Sequence, residues 1–262
     1  MRWDAGFHSS GNLNTRTMNK PLLPLLMLGL SACPTLAAIS WTGGGDTANF
    51  YDDANWDFSG GAIGSMPTQP GTDPILDDMN ITSTTINEGS AGFSNIEIGN
   101  GFSLNLDAVS FTFTQSNGFV GVDDDTGTPS SSGVTTYVNL TNGSLLSCQF
   151  ISLGLTVNVD SSSELYIRGG GDGLNSQSEL SVVNLAIGAK FTLPTLAEFT
   201  EQADTQGGAI YVNGQQVTAG NLNDLLSFVD NGGSVTATAI PEPSSTALLG
   251  LAGLGLVLRR RR

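Results

Sequence analysis

Ile151-Ser152-Leu153-Gly154, followed by Val157 and Val159, reads as two short strands meeting at a glycine corner. Two apolar residues straddle a third, glycine bends the chain, and apolar residues return three and five positions later, which is the period-2 pattern of strands with one buried face. The pattern recurs at Ile96-Glu97-Ile98-Gly99 with Phe102 and Leu104, and at Leu185-Ala186-Ile187-Gly188 with Phe191 and Leu193. Stacked copies of such a unit bury their inward side chains against one another. The repeat therefore predicts a β-solenoid-like stack with Ile96, Ile98, Ile151, Leu153, Leu185 and Ile187 pointing inward at equivalent positions. The spacings are uneven, 55 residues and then 34, and short strands between turn residues also suit a β-sandwich or jelly roll, which stands as the alternative. Abundant Gly, Ser, Thr and Asn, with no long helical periodicity before residue 195, make the class all-β in either case.

Beyond residue 194 the pattern changes. Thr195-Leu196-Ala197-Glu198 has capping-box form for a short helix to about Ala203. Asn213-Gly214, between Ile210-Tyr211-Val212 and Gln215-Gln216-Val217, is a two-residue hairpin signal. Leu222, Leu225, Leu226 and Val229 repeat at helical spacing. These elements predict a helix-hairpin-helix cap over 195–230 that covers one end of the β-rich body, 39–194, with 231–240 as a linker.

Two segments lie outside that body. Met18-Asn19-Lys20, the apolar run to Leu30 and the small residues to Ala38 have the charge, core and exit of a secretory signal peptide. Residues 1–38 are thus read as an upstream extension plus signal peptide, and cleavage after Ala38 leaves Ile39 as the mature N-terminus. Leu30-Ser31-Ala32-Cys33 offers a competing reading as a lipoprotein processing box acylated at Cys33. At the far end, Pro241-Glu242-Pro243 leads into 15 residues from Ser244 to Leu258 that are mostly apolar, closed by Arg259, Arg260, Arg261 and Arg262. This predicts a C-terminal membrane helix, shorter than the roughly 20 residues that cross ~30 Å of hydrocarbon, with the arginines held in the cytoplasm.

The order Pro-Glu-Pro, apolar helix and arginine cluster over residues 241–262 closely resembles the PEP-CTERM sorting signal of bacterial exoproteins. The resemblance implies processing by an exosortase-type enzyme, anchoring in the inner membrane before processing, and a destination at the cell surface or in the extracellular matrix. Extracellular polysaccharide is a further possible partner in that setting. Separately, Trp41-Thr42-Gly43-Gly44-Gly45-Asp46 and Ala54-Asn55-Trp56 resemble the openings of autotransporter-like β-helical repeat proteins, although Trp41 and Trp56 also suit ordinary core or lid aromatics.

Charge narrows the partners. The chain has a formal net charge of −15, and between Ile39 and Ile240 the only cations are Arg168 and Lys190, against 22 acidic residues. Nucleic acid is excluded as a partner, since binding it requires a basic surface to displace counterions from phosphate. The only histidine is His8, so the body holds no Ser-His-Asp or Cys-His site and no histidine-containing zinc site. Cys148, among Leu145, Leu146 and Phe150, reads as a buried small hydrophobe. Nothing in the sequence selects a carboxylate pair for glycoside hydrolysis, so the expectation is no enzymatic activity and no cofactor. Asp123, Asp124 and Asp125 are candidate calcium ligands. So is Asp172, in Gly169-Gly170-Gly171-Asp172-Gly173, a single copy resembling the turns of calcium-binding β-roll repeats. The expected function is that of an exported, structural or adhesive surface protein, with a carbohydrate-binding or polysaccharide-active protein as the alternative.

Overall fold

The computed structural model describes residues 38–46, 49–60, 78–88, 95–99, 101–114, 119–122, 136–152, 154–169, 181–204 and 210–242, all within the second of two compact units, Leu36–Arg262. In chain order the strands and helices are β1 (Ala38–Trp41), β2 (Trp56–Asp57), β3 (Asp78–Thr82), β4 (Thr85–Glu88), β5 (Asn95–Ile98), β6 (Ser103–Asp107), β7 (Ser110–Phe113), β8 (Phe119–Val122) and β9 (Tyr137–Thr141). They continue with β10 (Leu145–Cys148), β11 (Phe150–Ser152), β12 (Thr156–Val159), β13 (Glu164–Ile167), β14 (Val182–Leu185), β15 (Lys190–Leu193), α1 (Leu196–Asp204), β16 (Ile210–Val212), β17 (Gln215–Gln216), α2 (Leu222–Leu225), β18 (Leu226–Asp230) and β19 (Val235–Ala239).

From β3 to β13 the chain visits three sheets in a fixed cyclic order. The first sheet runs β17-β16-β14-β12-β9-β6-β3-β1-β2, the second β18-β19-β15-β13-β10-β7-β4, and the third β11-β8-β5. Among the described residues every pairing between successive rungs is parallel, and the antiparallel pairing that a sandwich or jelly roll relies on is confined to the ends, at β1–β2, β16–β17, β15–β19 and β18–β19.

Register places like side chains on like. In the first sheet Met79, Leu104, Val138, Val157, Val183 and Ile210 form one inward column, and Ile81, Leu106, Leu140, Val159, Leu185 and Val212 form the next. The second sheet contributes Ile86, Phe111, Leu146, Leu165 and Phe191, and the third Ile96, Val120 and Ile151. All are buried and belong to one core.

The sequence repeat holds for two copies and fails for the third. Ile96 and Ile151 share a column through Val120, as expected. Leu185 is buried but stands level with Val159 in the first sheet, and Ile187 is 41% exposed. The reason is that an apolar pair followed by glycine suits any strand entering a corner. Gly154 (φ +74°) turns the chain from the third sheet into the first, whereas Gly188 (φ +96°) turns it from the first into the second. Leu153 lies outside the described residues.

Both ends are covered. Trp41, Phe50 and Trp56 pack on one another, with Trp41 and Trp56 edge to face at 5.2 Å and Phe50 reaching Phe111 at 5.6 Å. Trp56 Nε1 donates to the Phe50 carbonyl at 2.8 Å, so this tryptophan is a lid residue. At the other end the Thr195–Glu198 capping box forms as expected, and α1 sets Phe199 against Phe191 and Phe228.

The expected helix-hairpin-helix and linker are revised in part. The Asn213-Gly214 hairpin forms, but the second helix lasts only from Leu222 to Leu225 before the chain extends into β18, leaving Val229 56% exposed. Asp230-Asn231-Gly232-Gly233-Ser234 closes a hairpin, and β19 occupies the stretch read as linker. The cause is tertiary: β15 has an open edge whose N–H and C=O groups need partners, and β19 supplies them. Among the described residues no helix is long and apolar enough to cross a membrane. The segment expected to do so, 244–258, lies outside them.

Candidate functional site

The outward face of the first sheet carries a feature that the sequence reading missed. Asn80, Asn105, Asn139, Asn158 and Asn184 occupy one outward column on five successive rungs. From Asn105 onward each Nδ2 donates to the Oδ1 one rung earlier: Asn105 to Asn80 at 2.9 Å, Asn139 to Asn105 at 2.8 Å, Asn158 to Asn139 at 2.8 Å, and Asn184 to Asn158 at 2.9 Å. The amides therefore point one way, so that their dipoles reinforce one another. The signal that could have revealed the column is an apolar-Asn-apolar triplet repeated five times: Met79-Asn80-Ile81, Leu104-Asn105-Leu106, Val138-Asn139-Leu140, Val157-Asn158-Val159 and Val183-Asn184-Leu185.

Beside Asn139, Asn158 and Asn184 runs a groove of about 590 Å³, bounded by Thr141, Asp160, Ala186 and the Asn213-Gly214 turn. Burial works against ionisation of Asp160, but hydrogen bonds from the Ser163 hydroxyl, the Asn142 amide, and the Ser162 amide and hydroxyl outweigh it and hold its pKa below the usual carboxylate value. Asn142 N–H donates to Asp160 Oδ2 at 2.7 Å.

The second region is the exit of the chain. Gly188 N–H donates to the Ala239 carbonyl at 2.8 Å, Ala239 N–H to the Ala189 carbonyl at 2.9 Å, and Ile240 N–H to the Leu225 carbonyl at 2.9 Å. Pro241 and Glu242 follow immediately and are exposed. They border a cavity of about 550 Å³ with Ile187, Val212, Leu225 and Ile240. The segment that the sequence singles out for sorting thus starts on residues fixed to the folded body.

Residues 239–262 match the PEP-CTERM protein-sorting motif. The motif indicates an exported protein sorted to the cell surface, and it fits processing by an exosortase. A signal peptide over 18–38 and a place in the cell envelope accord with it. Its first two residues, Ala239 and Ile240, are those hydrogen-bonded to the body. No curated protein and no solved structure matches the chain, and the resemblance of residues 41–46 and 54–56 to autotransporter-like proteins gains no support.

Of the residues singled out in the sequence, Pro241 and Glu242 of the PEP-CTERM motif are described, while Pro243 and Arg259–Arg262 lie outside the described residues. So do Asp123, Asp124, Asp125 and Asp172. Among the described residues no group of three or more His, Cys, Asp or Glu side chains could hold a metal ion. Cys148 is fully buried in β10, and burial, opposed only in part by the charge of Arg168, pushes its thiol pKa up to about 12. A protonated, enclosed thiol does not act as a nucleophile.

Proposed function

We propose that this chain is a non-enzymatic exported protein of structural or adhesive type, whose body is a β-solenoid-like stack held at the cell surface or in the extracellular matrix. The sorting motif at residues 239–262 carries the reading. Parallel rungs that follow the chain through three sheets in cyclic order support the solenoid description, since each rung buries its inward residues only against its neighbours. The apolar segment 244–258 holds the precursor in the inner membrane, with Arg259, Arg260, Arg261 and Arg262 setting its orientation. Pro241 and Pro243 cannot donate backbone hydrogen bonds, which keeps the chain around Glu242 extended within reach of an exosortase-type enzyme.

The test is cell fractionation and intact-mass measurement in hosts with and without an exosortase. The exosortase-positive host should release a shortened protein. Replacing Pro241-Glu242-Pro243 by alanines should leave it inserted and full length, and replacing the four arginines by serine should weaken retention or orientation. Full-length protein ending at Arg262 in the extracellular fraction of the exosortase-positive host would overturn the reading.

A further inference from the structure

The asparagine column uses only part of its hydrogen-bonding capacity. A primary amide has two N–H donors and two acceptor lone pairs, and each inner member of the ladder spends one donor and one lone pair on its neighbours. Among the described residues, one N–H and one lone pair of each inner member have no partner. At the end of the ladder Asn184 Oδ1 accepts no hydrogen bond among the described residues, because Tyr211 follows it on the next rung. Asn139, Asn158 and Asn184 border the groove of about 590 Å³.

The surroundings select the ligand. Asp160 is ionised at neutral pH, and among the described residues no Lys, Arg or His borders the groove. The body's two cations belong to other parts of the fold: Lys190 lies in β15, and Arg168 follows β13 with Nη2 donating to the Phe113 carbonyl. An anionic ligand would meet a carboxylate with no compensating charge. An apolar ligand would cover amides and leave them unsatisfied. A neutral, hydroxyl-rich ligand meets neither cost, because a hydroxyl both donates and accepts. Length is also selected, since the amides repeat at the strand spacing of about 4.8 Å. We infer that this groove binds a neutral linear glycan, laid along the asparagine column. Its hydroxyls accept from Nδ2–H groups and donate to Asn184 Oδ1. This goes beyond the sorting reading and does not depend on it.

Affinity electrophoresis of the full-length protein in mild detergent tests the inference, with gels containing neutral linear glucans, mannans or galactans and a parallel set containing alginate. Retardation by at least one neutral glycan and none by alginate is expected. Ala186→Trp fills the groove and should weaken retardation at least tenfold with an unchanged melting temperature. Asn184→Asp removes the amide donors at the end of the column, adds a second carboxylate, and should do the same if the first variant does not fold. Absence of retardation by every neutral glycan, retardation by alginate alone, or undiminished retardation of a variant that melts normally would overturn the inference.

Discussion

Asn158 Nδ2 donates to Asn139 Oδ1 at 2.8 Å, two amides 19 residues apart in sequence that meet because one circuit of the three sheets separates them. Asn158 also accepts from Asn184, so it holds two ladder bonds where Asn80 holds one. At about 0.5–1.5 kcal/mol net per bond, Asn158→Ala should cost about 1–3 kcal/mol, roughly twice the loss for Asn80→Ala. Chemical denaturation of both variants checks this, and equal losses would mean that the ladder does not stabilise the stack.

Leu185 and Ile187 look alike in sequence but differ in burial, at 1% and 41% exposure. Leu185→Ala should destabilise by about 2–5 kcal/mol, because it empties a site within the core. Ile187→Ala should stay within about 0.5 kcal/mol, as exposed substitutions do. A large effect at Ile187 would contradict the assignment of residues 186–188 to a corner.

Two corner glycines separate strain from collision. Gly154, at φ +74°, has open space where a Cβ would stand, so Gly154→Ala should cost only the left-handed penalty of about 1–2 kcal/mol. A Cβ on Gly188, at φ +96°, would lie 2.9 Å from the Ser161 carbonyl oxygen, and Gly188→Ala should cost clearly more. Thermal denaturation of the pair gives the comparison.

The Cys148 thiol should resist maleimide at pH 8 in the folded protein and react at the rate of unfolding. Its pKa is raised by burial from 9.0 to about 12, so the fold favours the protonated form. That contribution is complete below pH 9 and is lost as pH rises towards 12, and Cys148→Ser should flatten this alkaline limb of the stability curve. Rapid labelling of native protein at pH 8 would show the site to be open.

Asp160 works in the opposite sense. Burial opposes its ionisation, but hydrogen bonds from Ser163, Asn142 and Ser162 lower its pKa below 3.8. The stability it supplies is present above pH 3.8 and is lost as pH falls through the folded value, so Asp160→Asn should reduce the slope of acid unfolding below pH 3.8. Acid titrations followed by circular dichroism measure this, and unchanged slopes would remove Asp160 from the acid limb.

Legibility in the sequence followed the range of the interaction involved. The Thr195–Glu198 capping box and the Asn213-Gly214 turn were readable because each is decided within a few residues. The repeat was readable only in part. Its most regular signal, the apolar-Asn-apolar triplet, recurs at intervals of 25, 34, 19 and 26 residues, and loops of unequal length break any fixed period. The third copy of the glycine pattern was false because a corner between any two sheets has the same local requirements.

The sequence alone determined the all-β class, the absence of a basic surface and of histidine chemistry in the body, and the sorting motif at residues 239–262, because composition and contiguous motifs do not depend on folding. Tertiary structure decided the rest. It made residues 235–239 a strand, since the open edge of β15 required a hydrogen-bonding partner, and so set the start of the sorting motif on the body itself. It also aligned five distant asparagines into one column, because parallel register transmits the position of each rung to the next.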